Sequence, residues 1–67
     1  MNSDSTRIQI LVVEDEAVLA LDLAELLELE GYAVVGPAAD GPQALALFRQ
    51  HRVDLLLCDI RLQGPWD

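Results

Sequence analysis

Three short runs rich in branched aliphatic residues, "RIQILVV" (7–13), "YAVVG" (32–36) and "VDLLLC" (53–58), alternate with two stretches whose apolar residues recur at helical spacing. This alternation constrains the chain more than any other feature. It predicts the order β-α-β-α-β, with connections short enough for a parallel sheet wound right-handedly. Residues 1–6 form a polar arm ahead of the first strand.

The first helix is predicted from Ala17 to Glu30. Leu19, Leu23, Leu26 and Leu27 are expected inside, with Asp22, Glu25 and Glu28 outside as a solvated face. Gly31 supplies a C-terminal stop, and Pro37 is expected to end the second strand. Asp40 opens the second helix in a capping box with Gln43, and Pro42 is tolerated in the first turn. Ala44, Leu45 and Phe48 are its expected inner face, and the "RQHR" end puts cations where the helix dipole is negative.

Sixty-seven residues make one domain at most. A chain so short buries only about 60% of its unfolded surface, which makes it marginal alone. The 52% hydrophobic content nevertheless reads as globular. Twelve acids stand against four arginines and no lysine, for a net charge of −8. Such a chain is repelled by nucleic-acid backbones and anionic membranes, and suits divalent cations or a basic partner. The single cysteine rules out an internal disulfide and fits a reducing compartment. The polar start has no apolar segment of a secretory signal, and the longest uncharged stretch, Gly31 to Ala39, is too short for a bilayer. A soluble cytoplasmic protein is expected.

Open parallel α/β sheets bind ligands outside the carboxyl ends of their strands. The first strand ends at Glu14 and Asp15 and the third at Asp59. If those strands are neighbours, three carboxylates converge, and their mutual repulsion calls for a cation. Mg²⁺ suits such a site, because it prefers oxygen ligands and keeps several waters. The plainer alternative is that Glu14 and Asp15 cap the first helix.

"ILVVEDE", "GYAVVG", "ADGPQALALF" and "VDLLLCDIRLQG" together resemble the receiver domain of bacterial two-component response regulators, over nearly all of residues 7–67. The step from Asp15 to Asp59 is typical of that family. The resemblance implies an α/β, flavodoxin-like parallel sheet in strand order 2-1-3-4-5, here truncated to about half of the domain. It implies Asp59 as phosphoacceptor, taking a phosphoryl group from a sensor histidine kinase or phosphotransfer protein. It also implies that Asp15 binds Mg²⁺ directly, that Glu14 helps to hold the ion, and that Arg61 lends its backbone carbonyl. The domain would be an acceptor in signalling rather than an enzyme.

The chain departs from the family pattern in stopping after the third strand. The fourth strand's Ser or Thr and the fifth strand's Lys are absent, and Ser3, Ser5 and Thr6 all precede strand one. Phosphotransfer is therefore expected to be impaired. An open third-strand edge is expected to pair with another chain, giving a homo-oligomer. Cys58 reads as a small apolar residue in a central strand and His51 as a dipole-favoured surface residue. Trp66 packs under the third strand's loop or against a second chain.

Two functions stay open at this point. One is a phosphoryl-accepting signalling module, the other a receiver-derived half-domain that assembles without phosphotransfer. A hydrolase of the haloacid-dehalogenase type would need Asp-x-Asp after strand one, and Arg61 stands two positions after Asp59.

Overall fold

A computed structural model describes residues 7–59, with Asp59 described in its backbone alone. The polar arm (1–6), Arg61 and Trp66 lie outside the described residues. The elements follow the predicted order: β1 (Gln9–Glu14), α1 (Ala17–Leu29), β2 (Ala33–Ala38), α2 (Gly41–Gln50) and β3 (Leu55–Asp59). They build a three-stranded parallel sheet in the order β2-β1-β3, the flavodoxin-like arrangement.

The central strand is the core. Ile10, Leu11, Val12 and Val13 are all buried, as the continuous apolar run of a doubly covered strand requires. Each such side chain contributes about 1.5–3 kcal/mol when removed from water. On one face Leu11 and Val13 cluster with Val35 and Ala38, and Ala44, Leu47 and Val53 pack against them. Alternation along the strand turns Ile10 and Val12 to the other face, where α1 lies with buried Ala20.

Both helices expose part of the apolar stripe that their periodicity assigns inside. Leu23 and Leu27 are half-buried as expected, whereas Leu19 and Leu26 are exposed. In α2, Ala44 and Leu47 face the sheet, while Leu45 (50%) and Phe48 (57%) stand exposed. A helix stripe is wider than the contact that one sheet face provides, so its flanks stay open among the described residues.

The helix ends follow their capping chemistry. In α2 the Asp40 carboxylate accepts the Gln43 backbone N–H at 2.9 Å, and the Gln43 side-chain oxygen accepts from Ala39 N–H at 3.0 Å. The reciprocal bond thus falls one residue before the cap. At the end of α1, Gly31 has φ +100°, its N–H bonds Glu28 O, and Tyr32 N–H bonds Leu27 O. That is a Schellman turn. Arg7 closes over it, its Nε bonding Gly31 O and its Nη2 Tyr32 O, both at 3.2 Å.

The second strand does not end at Pro37. It continues to Ala38 because the register to β1 shifts between Leu11 and Val13, from Leu11↔Val35 to Val13↔Ala38. This bulge sits on an edge strand, where the missing proline N–H is tolerated. Gly36, at φ +98°, makes the bulge: a Cβ there would lie 2.8 Å from Ala38 N and 3.2 Å from Val12 O.

At the amino end of the sheet, Asp54 joins β3 to β1. Its Oδ2 accepts Gln9 N–H and its own N–H donates to Gln9 O, both at 2.8 Å. Arg52 lies alongside, with Nη2 2.9 Å from Arg7 O and 3.4 Å from Asp54 Oδ2. With its oxygen turned toward the guanidinium, the Gln9 side chain accepts from Arg52 at 3.2 Å and donates to Arg52 O at 3.1 Å. An ion pair this exposed stabilises by about 0–1 kcal/mol, so its value is geometric.

Candidate functional site

The carboxyl ends of β1 and β3 are neighbours, as the clustering of acids requires. Parallel register runs from Ile10↔Leu55 through Val13↔Cys58 to Glu14↔Asp59. The backbone therefore sets Asp59 directly across from Glu14, with Asp15 following in the turn to α1.

Glu14 is 4% exposed, the one buried charged side chain among the described residues. Its Oε2 accepts the Glu16 backbone N–H at 2.9 Å. Glu16 is the N-cap of α1 and makes no side-chain cap bond, so the carboxylate that satisfies this turn comes from Glu14. The capping role is thus real for Glu14. It does not preclude a second role, because a carboxylate offers about four acceptor positions. Asp15 is exposed at the mouth of the site.

Both acids line a cavity of ≈ 220 Å³ with Ala17, Ala20, Leu21, Pro37, Ala38 and Ala39. The β2 bulge brings its far wall, Pro37 to Ala39, up to the acids. No Arg or Lys is among these lining residues. Two adjacent carboxylates, beside a wall that is otherwise uncharged among the described residues, present a hard-oxygen donor set, and that chemistry fits Mg²⁺. Among the described residues no group of three or more His, Cys, Asp or Glu gathers into a metal site. The third acid expected there, Asp59, is described in its backbone alone, and Arg61 lies outside the described residues.

Cys58 is an exposed free thiol and His51 is the C-cap of α2, also exposed; neither joins the acids. No helix among the described residues is long and apolar enough to cross a membrane. The Gln9–Asp54 connection was not foreseen from the sequence. Its signal is the acid placed directly before the leucines of "VDLLLC".

Comparison with known proteins points to a family. The family described as "Response regulator receiver domain" matches residues 10–66. The transcriptional regulatory protein PdtaR of Mycobacterium tuberculosis is 44% identical over 54 residues, covering 81% of this chain and 26% of the relative. The DNA-binding response regulator MtrA of Mycobacterium bovis is 48% identical over 63 residues, covering 91% and 26%. Protein CcdB of Bacillus subtilis is 39% identical over 54 residues, covering 81% and 45%. The chain thus spans about a quarter of PdtaR and MtrA and under half of CcdB. No solved structure gave a significant match. With its sheet order, its acids at the strand ends and a match over most of its length, the chain belongs to the family of response regulator receiver domains.

Proposed function

We propose that this chain is the phosphoryl-accepting part of a two-component phosphorelay, with Asp59 as the acceptor. The supporting observation is the backbone register that sets Asp59 across from Glu14 at the carboxyl ends of adjacent parallel strands. In this reading an Asp59 carboxylate oxygen forms the new O–P bond as the N–P bond of a kinase's or phosphotransfer protein's phosphohistidine breaks. Asp15 would bind Mg²⁺ directly, Glu14 would help to hold it, and Asp59 and the Arg61 backbone carbonyl would complete the set. When bound, the ion offsets charge on the phosphoryl oxygens. The domain is an acceptor rather than an enzyme, and a cytoplasmic setting goes with the kinase.

Two relatives are named for transcription or DNA binding. We assign no such contact to these residues, because a net charge of −8 is repelled by a phosphate backbone.

The test is incubation with acetyl phosphate and Mg²⁺, followed by mass spectrometry for one added phosphoryl group. The 67 residues contain no lysine, and their Ser and Thr all precede β1. Losing one preorganised charge-stabilising donor typically slows a reaction ~100–1,000-fold. Slow labelling of these residues alone is therefore expected. Fast labelling is expected of a longer polypeptide that continues through five βα units, and Asp59→Asn should remove it. Failure of that longer form under every donor would defeat the reading.

A second reading, assembly with another copy of the chain through the β3 edge, has its own observation. Leu55 and Leu56 are 54% and 60% exposed on a strand that borders the sheet among the described residues. Sedimentation equilibrium at micromolar concentration decides it. A dimer that Leu56→Lys weakens supports assembly, and a stable 7.4 kDa monomer refutes it.

A further inference from the structure

The third strand reaches the site through three consecutive leucines, Leu55, Leu56 and Leu57. Register in a sheet is normally enforced by burial, since a slip of one residue turns every buried side chain outward. Here that constraint is weak. A one-residue slip exchanges leucine for leucine at successive positions, and all three are 38–60% exposed. The apolar pattern of β3 does not choose between neighbouring registers.

The choice has consequences at the other end of the strand. One residue of slip moves Asp59 about 3.3 Å along β1 and reverses the face its position occupies. A functional constellation tolerates misplacement of only about 0.5 Å. Something specific must therefore fix the strand.

The specific element lies at the amino end. Asp54 is held to Gln9 twice, its carboxylate accepting the Gln9 N–H and its own N–H donating to Gln9 O, each at 2.8 Å. Arg52 holds the approach to the strand through Arg7 O at 2.9 Å. A slip breaks both Asp54 bonds; another backbone N–H can take the place of Asp54's at Gln9 O, but neither flanking residue, Val53 or Leu55, carries a side-chain acceptor for the Gln9 N–H.

We propose that Asp54 is a positioning residue: by its paired bonds to Gln9 it holds β3 in the register that sets Asp59 across from Glu14. The consequence for the site rests on the reading of Asp59 as acceptor, whereas the register itself does not.

Isotope-labelled chain, Asp54→Ala and Asp54→Asn are compared by cross-strand nuclear Overhauser contacts. Wild type and Asp54→Asn, which keeps an acceptor oxygen, should show the Val13–Cys58 and Glu14–Asp59 pairings. In Asp54→Ala those pairings should weaken at least threefold, with contacts shifted by one residue appearing, while the β1–β2 pairing of Gln9 and Ala33 persists. A single wild-type register in Asp54→Ala overturns the proposal, as does equal loss in Asp54→Asn. Should Asp54→Ala fail to fold, hydrogen exchange in the wild type decides: the Gln9 amide should exchange at least tenfold more slowly than an unprotected one. An unprotected Gln9 amide overturns the proposal. Mn²⁺ added to the same samples should broaden the Asp59 amide in wild type and Asp54→Asn, and less in Asp54→Ala. No broadening in wild type counts against the metal reading alone, since the cross-strand contacts still judge Asp54.

Discussion

Glu14 and Glu16 are joined by a 2.9 Å hydrogen bond from the Glu16 backbone amide to Glu14 Oε2, across the turn that carries Asp15. A single buried carboxylate thus organises the turn of the candidate metal site. Glu14→Ala removes the acceptor from a part-buried amide. We expect a loss of about 0.5–1.5 kcal/mol in urea unfolding, together with weaker Mg²⁺ binding. Glu14→Gln keeps an acceptor oxygen and should retain most of the stability while losing the Mg²⁺ contribution. Equal stability of wild type and Glu14→Ala would contradict the turn's dependence on this bond.

Asp15 is exposed in the same turn, so its contribution should be to the ion alone. Asp15→Asn is expected to lower Mg²⁺ affinity at least tenfold by calorimetry, with the unfolding midpoint in metal-free buffer unchanged. Unaltered affinity would remove Asp15 from the site.

Asp40 caps α2 through the Gln43 amide. Asp40→Ala should cost ~1 kcal/mol in thermal unfolding, and Asp40→Asn only a few tenths. A neutral Asp40→Ala would mean that water satisfies the end of α2 equally well.

Gly36 leaves no room for a side chain: a Cβ meets Ala38 N at 2.8 Å, at a φ of +98°. Gly36→Ala should destabilise by roughly 1–3 kcal/mol. Because the bulge carries one wall of the cavity, the amide resonances of Ala38 and Ala39 should shift as well. An Ala variant with wild-type stability would show that the bulge can relax at no cost.

The alternation of strands and helices, the α2 cap and the Gly31 stop were legible because each depends on local chemistry. The backbone pairing of Glu14 with Asp59 was legible only on the condition that β1 and β3 are neighbours, an order that the family resemblance implied. Pro37 misled, since a proline ends a strand unless a bulge on an edge excuses its missing N–H. Leu19, Leu26, Leu45 and Phe48 misled differently. Periodicity marks a stripe as apolar without saying how much of it one sheet can cover. Asp54 passed unnoticed because an acid before a strand reads as solvated until its partner 45 positions away is known.

Arg7 has one more consequence. Helix α1 carries Asp22, Glu25 and Glu28, is followed by Glu30, and has no basic residue in its last turn. Its dipole and its side chains thus gather negative charge at the same end. The cation that answers them belongs to the segment leading into β1, which grips the carbonyls of Gly31 and Tyr32. An acidic helix with its counter-charge on a different element is a poor autonomous folder. Cut free as a peptide, α1 should be mostly coil, and in the intact chain its last turn should loosen whenever the start of β1 does.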